Sequence, residues 1–203
     1  MWARIGPASG IAGWALSLVG YSIHGYPRTG ASGQELAKWA STADPTRFAG
    51  AVDIEAIGIL IILVFYAWLS DLIRRNGDVG WLAIFAFAMV VVWGAAGIFG
   101  NAVLVALLDA DRSGVDNQIL VATNDVSDEL LKATYLFFGL AMVAIAAAAH
   151  RGKALPNWLT WPAMVIGVGL AVPATVSIAG LAVVLWAFAV SGLFLVRRAA
   201  LAN

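Results

Sequence analysis

AVDIEAIGILIILVFYAWLSDLIRR, residues 51–75, is the stretch whose reading decides the fold. It opens on two carboxylates, Asp53 and Glu55, continues through an apolar run and closes on Arg74 and Arg75. At about 1.5 Å rise per residue it is long enough to cross a bilayer, which needs about 20 helical residues. Short loops rich in Lys and Arg stay on the cytoplasmic side, so the dibasic end points in and the acidic beginning points out.

The rest of the chain agrees. Of its 203 residues 62% are hydrophobic and 12% charged, with a mean hydropathy of +0.87. A water-soluble domain is about half apolar and about a quarter charged, so the chain reads as an integral membrane protein. Formal net charge is zero, which gives no basis for nucleic-acid binding. With no cysteine there are no disulfides, thiolate metal ligands or thiol redox chemistry.

Outward from residues 51–75 the same pattern recurs. Residues 5–24 are rich in Gly and Ala, with Tyr21, His24 and Tyr26 toward the far end, where amphipathic rings suit the interface. A single basic residue, Arg4, and the lack of a small-x-small cleavage site before Pro27 make this a retained first helix, not a removed signal peptide. In the polar stretch 25–50, Ser32 ahead of Glu35 predicts a capping box and a short surface helix near 32–42. Asp44-Pro45 then marks the turn into the second segment. Asn76-Gly77-Asp78 is a turn. A third segment spans residues 80–108, with Gly94, Gly97 and Gly100 as packing residues and Asn101 after them. Residues 109–125 read as an acidic loop, carrying Asp109, Asp111, Asp116 and Asp125 against Arg112. The fourth segment is 127–149, capped by Asn124 or Asp125. The fifth is 157–172, after Pro156, and the sixth 178–196, ending on Arg197 and Arg198.

The expected architecture is therefore all-α: one transmembrane domain over residues 1–203, six helices in a bundle, both termini cytoplasmic. Arg4, Arg74, Arg75, Arg151, Lys153, Arg197 and Arg198 then lie inside, with Asp71 and Asp78 as the acidic residues there. Arg28, Lys38, Arg47 and Arg112 lie outside. Trp81, Trp158 and Trp161 mark the inner interface, while Trp93 and Trp186 sit deeper as packing residues.

This topology gathers Tyr21, His24, Asp53, Glu55, Asn101, Asp128 and Lys132 near the outer ends of the first four segments. An ionisable group inside hydrocarbon is costly, by about 2.5 to 3.5 kcal/mol on insertion scales, and faces the bundle interior. One reading is an outward-facing polar cup for an ion, a polar ligand or a lipid headgroup. The other is a set of hydrated helix ends. Asp53 and Glu55, about 200° apart around a helix, do not face one pocket together. Asn101 either lines the floor of the cup or bonds a neighbouring helix. Lys132, at helical spacing from Asp128 and Glu129, either pairs with them or anchors an anion.

No cofactor or metal is expected. A bis-imidazole haem needs two His at one depth, whereas His24 and His150 are separated by about one hydrocarbon thickness, roughly 30 Å. No nucleophile elbow and no phosphate-binding glycine loop is present.

The Arg4-Ile5 start, Asp53 early in the second helix, Asn101 in the third and Leu155-Pro156-Asn157-Trp158-Leu159 opening the fifth resemble a family of small bacterial membrane proteins known as a domain of unknown function. The resemblance implies six helices, and it brings no activity and no functional residues; the expected location is a bacterial inner membrane. Three functions remain open at this point. The first is a transporter-like or receptor-like binder of the outer cup. The second is a structural or assembly subunit that meets a membrane-protein partner or a second copy through small-residue faces. The third is a lipid-active intramembrane enzyme. A transporter is expected to carry inverted repeats, and the two halves do not match.

Overall fold

The computed structural model describes residues 2–25, 27, 30–75, 79–112, 116–172 and 174–200. The Asn76-Gly77-Asp78 turn, Tyr26, Arg28 and the side chains of His24, Asp111, Arg112 and Arg198 lie outside the described residues. The chain is all-α. Seven helices are seen: α1 (Trp2–His24), α2 (Gly33–Thr42), α3 (Pro45–Arg74), α4 (Gly80–Arg112), α5 (Asn117–Arg151), α6 (Asn157–Ala171) and α7 (Val176–Ala200).

Among the described residues four stretches are long and apolar enough to cross a membrane: Pro45–Arg74, Gly80–Asp109, Gln118–Arg151 and Val176–Arg197. Their outward faces are apolar as well, with Ile57, Leu60, Ile84, Phe99 and Leu185 exposed. A water-soluble surface avoids such a band, and a lipid-facing one requires it. Among the expected crossings, α6 has 15 residues, and α1 is diluted by Gly6, Ser9, Gly10, Gly13, Ser17 and Gly20.

Local chemistry sets the helix starts. Ser32 caps α2 in the expected capping box with Glu35. The Asp44 carboxylate accepts the amides of Thr46 and Arg47 at 3.0 and 3.3 Å, and Pro45 begins α3. The largest departure from the sequence reading is at residues 109–125. Instead of an acidic loop, α4 continues to Arg112 and α5 starts at Asn117. The cap is Asp116, whose carboxylate accepts the Gln118 amide at 2.9 Å, so Asn124 and Asp125 lie within the helix. The reason is tertiary. Leu107, Leu108 and Leu120 extend the apolar faces of α4 and α5 to seat Leu36, Ala40 and Trp39 of α2. Pro156 likewise stands as the N-cap of α6, just before its first turn.

Contacts run from α1 to α3, α4, α5, α6 and α7, and back to α1. Successive partners are antiparallel. Along α1 and α3, Gly6 lies against Trp68, Gly13 against Ile62 and Gly20 against Ala51 and Glu55. Gly139 of α5 meets Gly167 of α6 in the same way. Gly94 and Gly97 take Ile59 of α3, as packing residues should. The interior is aromatic: Trp14, Tyr66, Trp93 and Phe138 stack with ring centroids 4.6 to 6.0 Å apart. Trp186 is buried and donates to the Leu159 carbonyl at 2.8 Å, tying α7 to α6.

A Cβ at Gly58 would stand 2.5 Å from the Ser17 backbone nitrogen, whereas one at Gly50 would meet nothing within 4 Å. Gly58→Ala is expected to destabilise the protein by about 1–3 kcal/mol through overpacking. Gly50→Ala should be neutral or stabilising by up to about 1 kcal/mol. Thermal melts in one detergent test the pair, and equal melting temperatures would contradict the close α1–α3 contact.

Candidate polar site at the α2 end

The sequence-predicted residues all fall on the half of the helices nearest α2, but they do not share one surface. Asp53 and Glu55 diverge around α3. Asp53 is exposed and lines an open groove of about 540 Å³ between α3 and α4, with Asp109, Val105, Leu108 and the first turns of α3. Glu55 is half-buried and shares its helix face with buried Ala51, Val52, Gly58, Ile59 and Ile62. Close approach of α1 at Gly20, whose Cβ would lie 2.7 Å from the Glu55 nitrogen, walls that side.

Across from it stands α5. Its residues Asn124, Asp128, Tyr135 and Met142 are spaced four, seven and seven apart, which keeps them within about 40° on one face. Half-buried Tyr135 is within electrostatic reach of Glu55 and of Tyr21 on α1. Tyr21 itself is 56% exposed. Asp128 accepts the Gly30 amide at 3.1 Å and the Asn124 amide nitrogen at 3.4 Å. Gly30 has φ +70°, a left-handed conformation that glycine adopts without strain, and it brings the α1–α2 connection onto α5.

Asn124 is buried, as are Asn101 and Ser127. The Ser127 hydroxyl donates to the Gly100 carbonyl at 3.4 Å, holding α5 to α4 next to Asn101. About four turns further along α5, Met142 accepts a bond from the Tyr66 hydroxyl at 3.7 Å to sulfur. Deeper, the Trp14 Nε1 and Ser191 Oγ are buried without a hydrogen-bond partner among the described residues. Lys132 is turned outward and pairs with Glu129 at 2.5 Å, both side chains well exposed. Such a pair contributes little. His24 ends α1, and nothing further is described of its ring.

Two acidic arrangements result. One is the open Asp53–Asp109 groove. The other, the interior acidic set, joins half-buried Glu55 to Tyr135 and the exposed Tyr21, with Asp128 and Asn124 about two and three turns along α5 toward α2, where Asp128 holds the α1–α2 connection. Trp39 of α2 reinforces that connection by donating to the Gly25 carbonyl at 3.3 Å and packing edge-on against Phe48, centroids 5.6 Å apart. Of the described basic side chains at this end, Lys38, Arg47 and Lys132 are exposed. Among the described residues, no three His, Cys, Asp or Glu side chains converge to hold a metal ion.

Tyr135 and the interior role of Asn124 are not in the sequence reading. The signal was the 4-7-7 polar spacing on α5, legible only with the helix beginning at Asn117. Started near Ser127, Asn124 becomes a cap and drops off that face.

Comparison with protein-family models, curated proteins and solved structures finds no match to this chain. The functional reading therefore rests on the site's own chemistry.

Asp128 is the anchor of the α1–α2 connection. Asp128→Ala should raise amide hydrogen exchange over residues 30–36 about tenfold to a hundredfold, the loss of one charge-assisted bond of about 1.5–3 kcal/mol. Exchange in α7 should stay as it is. Unchanged exchange at Gly30 and in α2 would remove the anchoring role.

Proposed function

We propose that this protein binds a cationic ligand on the outward face of a bacterial inner membrane, in the interior acidic set at the α2 end. In this reading α1, α3, α4, α5, α6 and α7 all cross the bilayer, with both termini in the cytoplasm and α2 outside. The basic bias supports that orientation: exposed Arg4, Arg74, Arg75, Arg151, Lys153 and Arg197 stand at the opposite end. The two shorter or less apolar helices, α1 and α6, cross in company, each flanked by two of the more apolar ones.

The observation that carries the binding proposal is the position of Glu55. It lies on the inward face of α3, between the close-approaching Gly20 of α1 and Tyr135 of α5. A carboxylate so placed is costly to desolvate and is retained where it meets a ligand, an ion or a proton. Tyr135 stands within electrostatic reach of it and of Tyr21, and Asp128 lies about two turns further along α5, oxygen-bearing groups that suit a cation. The α1–α2 connection, held on Asp128, supports a receptor-like or transporter-like role over a passive surface patch, because entry past it requires that connection to yield.

The assembly-subunit reading loses support from the same packing. The small-residue faces it relies on are engaged within the chain, where Gly6, Gly10, Gly13, Gly20, Gly58, Gly139 and Gly167 all meet other helices.

Thermal-shift titration of the detergent-purified protein with Na⁺, K⁺, Mg²⁺, guanidinium and choline tests the proposal. At least one cation should raise the melting temperature saturably, and Glu55→Gln should weaken that binding about tenfold or more. Lys132→Gln should leave it within about twofold. Saturable binding that is indifferent to Glu55→Gln, or no saturable shift with any of the five, would overturn the reading.

A further inference from the structure

The end of the molecule opposite α2 has a different chemistry, independent of the acidic site. We propose that the α5–α6 turn is a docking surface for an anionic phospholipid, its headgroup on His150, Arg151 and Lys153 and an acyl chain along one face of α6.

The turn is sharply defined. Gly152 caps α5, its amide bonding to the Ala148 carbonyl at 2.9 Å. Lys153 follows at φ 50°, a left-handed conformation that a non-glycine residue rarely holds. Ala154 closes the turn by donating to the Ala149 carbonyl at 3.0 Å. Beneath it Leu155 and Leu159 are buried in the main core, which fixes the turn to the bundle. Arg151, Lys153 and His150 are all exposed on it. The His150 ring lies 5.8 Å from that of Trp161.

The choice of a lipid over a free phosphate comes from what lies beside these charges. Trp158, Trp161, Val165 and Val168 are spaced three, four and three apart, which places them on one face of α6, and Val172 follows as its C-cap. All five are exposed, Trp161 at 60% and Val165 at 69%. Two indoles at headgroup level followed by a strip of valines match an amphiphile with a polar head and an apolar tail. Arginine and lysine side chains bind phosphate oxygens, and clusters of them at the cytoplasmic surface attract anionic lipids.

The surroundings keep the local field positive. The neighbouring end of α3 exposes Arg74 and Arg75, and Trp81 opens α4 at 65% exposure. Among the described residues at this end the acidic side chain is Asp71, and Arg75 engages it at 2.6 Å.

Native mass spectrometry of the full chain tests this with equimolar phosphatidylglycerol and phosphatidylcholine added to the detergent-purified protein. The wild-type chain should retain phosphatidylglycerol preferentially. The double variant Arg151→Gln/Lys153→Gln should lose that preference about tenfold, with its melting temperature reported alongside as a check of folding. A second variant, Trp161→Ala, should weaken retention while leaving every charge in place. Lys38→Gln/Arg47→Gln, at the α2 end, should retain the lipid as the wild type does. No preference for phosphatidylglycerol, or a preference untouched by the double variant, would overturn the proposal. Displacement of the lipid by millimolar inorganic phosphate, with Trp161→Ala without effect, would overturn its lipid assignment.

Discussion

The contact on which the rest of the structure depends is the backbone approach of α1 to α3. In a bilayer the hydrophobic effect does not drive helices together, so association rests on close van der Waals fit. Gly13 and Ser17 of α1 lie against Gly58 of α3 at distances that leave no room for a single added methyl group. That fit fixes the rotation of α1 about its axis. Once it is fixed, Gly20 falls beside Glu55 and Trp14 turns into the aromatic interior with Trp93 and Phe138. A helix rotated by half a turn would bring neither.

Polar groups are distributed by the same constraint. Asn101, Asn124 and Ser127 are buried where α4 and α5 meet, and the bond from Ser127 to the Gly100 carbonyl crosses that seam. Charged side chains with long stems, such as Lys132, Lys38 and Arg47, are exposed. Glu55 is half-buried on the packed face of α3, beside Gly20 of α1. The two ends of the molecule thereby acquire opposite characters. At the α2 end, Glu55, Asp128 and Tyr135 are half-buried in the helix packing, while Asp53 and Tyr21 are exposed. At the other end, Arg74, Arg75, Arg151, Lys153, Trp81, Trp158 and Trp161 are exposed.

The chain decides a good deal locally. Residues 51–75 predict a long apolar helix with an acidic start and a dibasic stop, and α3 contains residues 51–74 with Arg75 as its C-cap. Ser32 with Glu35, and Asp44 with Pro45, predict helix starts that depend only on side-chain oxygens meeting nearby amides. Packing roles for Gly94, Gly97 and Trp186 are legible too, because small residues and large apolar ones within an apolar run have few alternatives. The opposite facing of Asp53 and Glu55 follows from helical geometry alone.

Other features have no local signature. Residues 109–125 are acidic enough to read as a loop, yet most of them are helical because α2 packs on Leu107 and Leu120 and makes the extra turns worthwhile. That extension moves Asn124 from a cap to an interior face and aligns it with Asp128 and Tyr135. Asp128 then meets the amide of Gly30, 98 positions away. Sequence by itself determined most of the helical segments, how apolar they are and which positions carry charge, since these follow from composition and from hydrogen bonds a few residues long. Only the tertiary structure decided which polar residues share a space, because the rotation of each helix is set by the shape of its neighbours.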